Sequence, residues 1–172
     1  MDVLTDGVVT LRPLRQEDVP AIAVACADHD VARFIPGMPV PYTEADARTY
    51  VTNVLARTSG AKRTCAIADA ASDEILGAIE VRLGEVGSTG YWIAPSARGR
   101  GIATRALRLL SHWAVTEGGV RRLELTTHLD NLASQRVAEK AGFVRQPDVQ
   151  GDAFRDGSVG RALFVFAPDC PG

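Results

Sequence analysis

The sequence predicts a mixed α/β fold of the α+β kind, built as one domain over residues 1–172. Apolar, β-branched runs separated by turn residues indicate strands, and apolar residues at helical spacing indicate helices. The predicted order is β-α-α-β-β-β-α-β-α-β-β, with hairpins early and crossover connections late. A chain of 172 residues can bury roughly two-thirds of its unfolded surface, which is enough for a substantial core.

The first elements are a strand, a helix, a loop and a second helix. Residues 8–12 are β-rich and end at Pro13, and acidic residues at 16–18 suit the start of a helix. Residues 28–41 carry three prolines and a glycine, which predicts a loop. Thr43 and Asp46 have the spacing of a capping box, so the second helix should run from there to about Ser59-Gly60.

The remaining elements begin with three strands. Residues 64–68 and 75–83 form a predicted hairpin around the turn at 71–74, and a further strand ends at Ala94. An amphipathic helix is predicted over residues 102–115, followed by an alternating strand at 122–127. Asp130-Asn131 caps the last helix, Gly142 ends it, and two strands complete the chain.

Composition and charge exclude several classes of function. The net charge of −2 and the isoelectric point near 5.9 argue against nucleic acid as a partner. The sequence lacks the run of ~18 apolar residues that spans a membrane, and the N-terminus lacks the features of a signal peptide. Cys26, Cys65 and Cys170 have no CxxC spacing, and the three histidines have no ligand spacing. We therefore expect a cytoplasmic protein with reduced thiols, no membrane partner and no metal.

The stretch Arg98-Gly99-Arg100-Gly101-Ile102-Ala103 joins a predicted strand to a predicted helix. Glycines let the backbone approach a ligand, and the free amides of a first helical turn favour a phosphate group. The two arginines would add charge-assisted donors. The stretch is neither a Walker A motif nor a complete Rossmann fingerprint. It predicts a phosphate-bearing ligand, the alternative being an ordinary turn with solvated arginines.

A second pattern follows in the C-terminal third. Asn131-x-x-Ser134 and Lys140-x-Gly142-Phe143 come after the glycine stretch in order. Together they resemble the GNAT superfamily of acyl-CoA-dependent N-acetyltransferases, whose pyrophosphate signature R/Q-x-x-G-x-G/A matches Arg98 to Ala103. These motifs, with Leu11-Arg12-Pro13-Leu14 and Asp18, resemble the branch of ribosomal-protein N-terminal acetyltransferases. The resemblance covers about residues 8–166.

The resemblance implies both a fold and a cosubstrate. The GNAT fold has a central mixed, mostly antiparallel sheet with splayed central strands flanked by helices. Acetyl-CoA would lie in the splay, with its pyrophosphate on the amides of residues 98–103. The backbone of Trp92, Ile93 and Ala94 would pair with the pantetheine arm as an added strand does, and Asn131 would bond the arm.

The resemblance also implies direct attack of a neutral amine on the thioester carbonyl, which requires proton transfers. Ser134 is the predicted donor to the leaving thiolate, although it could instead satisfy backbone groups of its own helix. Tyr42, Tyr50 and Tyr91 lie outside the position at which many superfamily members carry a tyrosine acid. Glu80 is the candidate general base, with a solvated outer face or a water-mediated route as alternatives.

Other titratable residues are assigned lesser roles. His128 should be an exposed loop residue and His112 a surface residue of the long helix. Acidic and aromatic side chains around the first two helices suit a cationic amine, although a solvated loop explains them equally well. These side chains, with a predicted rim near the C-terminus, are Asp28, Asp30, Phe34, Tyr42, Glu44, Asp46, Asp148, Asp152 and Asp156.

The acceptor is expected to be the α-amine of a protein N-terminus, as the resemblance implies. One alternative keeps the chemistry and replaces the acceptor with a small amine, such as an antibiotic, a polyamine or an amino-acid derivative. Another is an acyl-CoA-binding domain without activity, which would not need Asn131 and Ser134. A homodimer is common in the superfamily.

Overall fold

The computed structural model describes residues 3–57 and 60–167, and these form eight strands, five α-helices and two short 3₁₀ helices. The strands are β1 (Leu4–Thr5), β2 (Val9–Pro13), β3 (Lys62–Asp69), β4 (Ile75–Arg82), β5 (Val86–Ile93), β6 (Arg122–His128), β7 (Val144–Gln150) and β8 (Gly160–Phe166). The helices are α1 (Val19–Cys26), α2 (His29–Phe34), α3 (Glu44–Leu55), α4 (Ile102–Thr116) and α5 (Leu132–Lys140).

All eight strands belong to one sheet, in the order β1-β2-β3-β4-β5-β6-β8-β7. Neighbouring strands are antiparallel except β5 and β6, which are parallel and joined by the crossover helix α4. The prediction of a mixed, mostly antiparallel sheet flanked by helices is confirmed.

The helices cover the two faces of the sheet as separate layers. Val51 of α3 packs with Ile22 of α1 and Val31 of α2 on one face. Leu107 of α4 packs with Ala138 of α5 on the other face. We call these the α1–α3 layer and the α4–α5 layer.

The parallel pair β5 and β6 separates partway along its length. Pairing runs from Val86 opposite Arg122 to Thr89 opposite Leu125 and ends there. Both strands nevertheless continue, β5 to Ile93 and β6 to His128. We call this region the parting; it confirms the predicted splay and leaves one edge of β5 without a strand partner.

Two helices differ from the sequence prediction. The predicted loop at 28–41 is wrong for His29–Phe34, which form α2. Asp28 begins this helix because its carboxylate accepts the N–H of Val31 at 3.1 Å, and the helix breakers start only at Pro36. The capping box of Thr43 and Asp46 is confirmed, but α3 ends at Leu55, before the predicted end at Ser59-Gly60. Ser59 lies outside the described residues.

The cysteines that the structure describes are free and buried. Burial raises the pKa of Cys26 to about 12 and that of Cys65 to about 11. Both thiols are therefore neutral near pH 7, whereas Cys170 lies outside the described residues. Within residues 3–57 and 60–167, no helix is long and apolar enough to cross a membrane.

Candidate active site

A cavity of about 1250 Å³ lies at the parting of β5 and β6. Its wall includes Gly101 before α4 and Ser134 of α5 on one face, and Tyr50 of α3 and Phe34 of α2 on the other. Because both helical layers contribute residues, the space passes through the sheet where the two strands separate.

The glycine turn forms one end of this cavity. Gly99 and Gly101 have φ of +74° and +77°, a conformation that glycine adopts without strain. A Cβ at either position would meet no atom of the described chain within 4 Å, so the space in front of the turn is open. Gly101 is the N-cap residue of α4 and supplies no capping side chain. The first amides of a helix need partners, and this turn therefore suits a bound anion.

The two arginines of the turn are held by carboxylates. Arg98 donates to Asp28 at 2.6 Å and to Asp30 at 3.4 Å, which links the turn to the start of α2. The bond from Arg98 is the main reason that the pKa of Asp28 lies below its usual range. The guanidinium of Arg100 lies 3.9 Å from Asp69. An anion at the turn would compete with these carboxylates for the arginines.

The remaining predicted cofactor residues divide between the cavity and the core. Trp92, Ile93 and Ala103 line the cavity. The side chain of Ile102 is buried in the core, and the N–H of Ala94 donates to Leu76 on the β4 side at 2.8 Å. The cavity thus receives the unpaired edge of β5 and the first turn of α4.

Asn131, Ser134 and Tyr91 meet beside the parting. The side-chain oxygen of Asn131 caps α5 by accepting the N–H of Ser134 at 3.1 Å. The hydroxyl of Ser134 lies 3.0 Å from that of Tyr91. Burial raises the pKa of Tyr91 to about 12 against the opposing effect of this bond. The sequence patterns assign no role to Tyr91, although strand alternation places its side chain on the opposite face of β5 from that of Trp92.

Glu80 lies on the other face of the sheet from this group. Its strand neighbours Ile79 and Val81 pack with the α4–α5 layer, so Glu80 points toward the α1–α3 layer, where it lines the cavity. Its carboxylate pairs with Lys62 at 2.9 Å and is 41% exposed. Gly90 stands opposite Glu80 in register, and a Cβ there would meet no described atom within 4 Å. The path from Glu80 to the parting is therefore open.

Two carboxylates of the predicted acidic surface line the cavity, and others lie in ion pairs away from it. Asp30 and Asp46 line the wall together with Phe34 and Tyr42. Glu44 instead pairs with Arg48 on the surface of α3, and Asp148 pairs with Arg145 on β7.

His128 is a buried residue, and the prediction of an exposed loop histidine is wrong. It ends β6, is 5% exposed, and packs against the rings of Phe34 and Phe154. Its Nδ1 accepts the N–H of Asp130 at 2.9 Å, while Nε2 faces Asp156 and Ser158. The ring therefore joins α2 to the loop between β7 and β8. The surface placement of His112 is confirmed.

No cluster of three or more histidine, cysteine, aspartate or glutamate side chains that could hold a metal ion is present in residues 3–57 and 60–167.

Comparison with protein families gives a match over residues 9–144 to the family described as Acetyltransferase (GNAT) domain. The chain is similar to the ribosomal-protein-serine acetyltransferase of Escherichia coli (strain K12), with 32% identity over 93 residues. That alignment covers 49% of this chain and 52% of the relative. The chain thus spans about half the length of this curated relative.

Solved structures share the fold over almost the whole chain. A structure of RimL, a ribosomal L7/L12 α-N-protein acetyltransferase in complex with coenzyme A, has a TM-score of 0.84 at 20% identity and covers 98% of this chain and 99% of its own. Mycobacterium smegmatis RimJ in complex with a CoA disulfide has a TM-score of 0.85 at 24% identity and covers 98% of this chain and 88% of its own.

Proposed function

Because the chain belongs to the GNAT acetyltransferase family, we propose that it transfers the acetyl group of acetyl-CoA to the α-amine of a protein N-terminus. The observation that carries the proposal is the cavity through the parting. It joins an anion-binding turn and Ser134 on one face to Glu80 on the other. Donor and acceptor can therefore approach one reaction centre from opposite sides of the sheet.

The residues present fit acetyl-CoA. The amides at Gly99, Gly101 and Ala103 would hold the pyrophosphate, since the turn is open and carries positive φ at both glycines. The unpaired edge of β5 at Trp92 and Ile93 would bond the amides of the pantetheine arm as a neighbouring strand does. Bound acetyl-CoA supplies an activated acetyl group as a thioester.

In the proposed reaction, Glu80 accepts a proton and Ser134 donates one. As the amine nitrogen bonds to the acetyl carbon and the carbon–sulfur bond breaks, the electron pair passes to sulfur. Glu80 takes the proton that the amine nitrogen loses, directly or through one water, because the space over Gly90 is open to it. Ser134 donates a proton to the leaving sulfur from the α4–α5 side. Water then returns a proton to the serine oxygen and takes up the proton that Glu80 holds, so both groups are restored.

The acceptor assignment rests on the relatives and on the wall of the cavity. The Escherichia coli relative is named as a ribosomal-protein-serine acetyltransferase. In this chain, Asp30 and Asp46 line the α1–α3 side of the cavity with Phe34 and Tyr42. Carboxylates beside aromatic rings favour a cationic N-terminal segment.

The test is release of coenzyme A thiol with a panel of acceptors. Peptides with a free, basic N-terminal segment should be acetylated, while the same peptides with a blocked α-amine should not. If only small amines are acetylated, the acceptor is a small amine and not a protein N-terminus. Acetyl-CoA should also raise the thermal midpoint, and a thermal shift without turnover of any amine would indicate a binding domain.

Ser134→Ala tests the assigned proton donor. It should lower kcat by about 100-fold, within the range of general acid catalysis, and leave the KM for acetyl-CoA unchanged. Ser111→Ala is the matched control, because this buried hydroxyl bonds Leu107 inside α4 and does not line the cavity. An unchanged kcat in Ser134→Ala would remove Ser134 from the mechanism.

A further inference from the structure

We propose that Tyr91 is a positioning residue that directs the hydroxyl hydrogen of Ser134 toward the leaving sulfur. The inference rests on the proposed function and on the contact between the Tyr91 and Ser134 hydroxyls at 3.0 Å. Tyr91 lines the cavity, and neither of the proton transfers described above uses it.

The position of Tyr91 follows from the parting. It lies two residues beyond Thr89, the last residue of β5 that pairs with β6, and so its strand has no neighbour on that side. The ring packs with the α4–α5 layer, and the hydroxyl reaches α5. Tyr91 therefore bridges the gap between β5 and α5 at the level where the sheet opens.

The direction of this hydrogen bond decides what Ser134 can do. A serine hydroxyl has one hydrogen, and it cannot reach a ligand if Ser134 donates it to Tyr91. A phenol is a stronger acid than an aliphatic alcohol, so Tyr91 is the better donor of the two. Burial raises the pKa of Tyr91 to about 12, which keeps the phenol protonated at neutral pH. With Tyr91 as donor, the hydrogen of Ser134 is free to point into the cavity.

Asn131 fixes the backbone of Ser134. Its side-chain oxygen accepts the backbone N–H of Ser134 and holds the first turn of α5. The backbone is thereby set by Asn131 and the hydroxyl rotation by Tyr91. Donation from Tyr91 also stabilises the negative charge that grows on the serine oxygen as its proton moves to sulfur.

The experiment is a double-mutant cycle on kcat with Tyr91→Phe, Ser134→Ala and the double variant. Tyr91→Phe should lower kcat five- to tenfold, about the worth of one neutral hydrogen bond, with the KM for acetyl-CoA unchanged. The double variant should be no slower than Ser134→Ala, because Tyr91 acts only through the serine hydroxyl. The thermal midpoint of each variant, with and without acetyl-CoA, shows whether it is folded and binds.

Two outcomes overturn the role of Tyr91. One is an unchanged kcat in Tyr91→Phe. The other is an equal loss in the wild-type and Ser134→Ala backgrounds, which is also how a purely structural defect would register. If Tyr91→Phe does not fold, Tyr91→Leu replaces it, since leucine also lacks the phenol hydroxyl: kcat should fall in the wild-type background and not in the Ser134→Ala background, and an unchanged kcat overturns the role. Absence of acetyl-CoA binding and turnover in the wild type would overturn the proposed function itself.

Discussion

Arg12 and Asp18 form a two-bonded ion pair inside the protein, with both nitrogen–oxygen distances at 2.9 Å. The two side chains are 4% and 6% exposed, and the pair raises the pKa of Arg12 above its usual value. Asp18 also accepts the N–H of Arg15 at 2.8 Å. The pair joins β2 to the turn that begins α1 and so anchors the α1–α3 layer.

We expect Arg12→Leu to destabilise the protein by about 3–5 kcal/mol, because it leaves the Asp18 carboxylate buried without its partner. Urea unfolding measures this change. Arg15→Leu is the matched control: its bond to Asp73 lies between two half-exposed side chains, so its loss should destabilise the protein far less. Equal losses in the two variants would contradict the proposed anchoring role.

A methyl group at Gly101 should weaken acetyl-CoA binding by about tenfold or more, because it would occupy the open space where the turn presents its amides. Isothermal titration calorimetry measures the change. Gly7→Ala separates this effect from backbone strain, since Gly7 also has positive φ, at +83°, and open space around it. Both variants should lose about 1 kcal/mol of stability. Retained affinity in Gly101→Ala would place the pyrophosphate elsewhere.

Asp28→Asn should strengthen acetyl-CoA binding about two- to fivefold at low salt, since it weakens the hold of Asp28 on Arg98. Asparagine can still cap α2, so the helix should remain. The gain should shrink as salt increases, because screening weakens both pairings. Asp148→Asn removes an exposed paired carboxylate on β7 and should leave the affinity unchanged. Weaker binding in Asp28→Asn would show that the ion pair supports the cofactor site.

Asp156 should add stability that depends on pH in the acid range. The hydroxyl and the N–H of Ser158, with His128, lower the pKa of Asp156 from 3.8 to about 2. A carboxyl with a lowered pKa stabilises the fold above its unfolded pKa, and loses this contribution as pH falls through the folded pKa. The difference in thermal midpoint between wild type and Asp156→Asn should therefore be constant above about pH 5, shrink as pH falls, and disappear by about pH 1.

Ser158→Ala is the companion variant for this prediction. It removes the bond with the largest lowering effect on the pKa of Asp156, so the loss of stability on acidification should be smaller and should be complete at a higher pH. A difference between wild type and Asp156→Asn that does not change with pH would contradict the assignment.

Local patterns predicted the helices and strands that depend on neighbours in sequence. Thr43 and Asp46 satisfy each other within one turn, and their capping box needed no knowledge of the fold. The mostly antiparallel sheet and its splay followed from the GNAT resemblance, because the motifs at Arg98 and Asn131 specify a known arrangement. In contrast, the sequence does not predict α2, because the prolines that follow Phe34 are typical of a loop and the helix before them is only six residues long.

The sequence predicts which residues belong to the site better than it predicts the contacts between them. Ser134 and Glu80 line the predicted cavity. The bond between Tyr91 and Ser134 joins residues 43 positions apart, and only the three-dimensional fold brings them together. His128 was misassigned for the same reason. It is covered by Phe34 and Phe154, which are far from it in sequence.

The parting of β5 and β6 also affects how the folded protein avoids aggregation. A strand edge at the border of a sheet can recruit strands from other molecules. The unpaired stretch of β5 lies in the middle of the sheet, between two layers of helices, where another sheet cannot dock. Only a single extended chain can reach this stretch of β5. The two helical layers therefore keep the strands of other proteins from pairing with it.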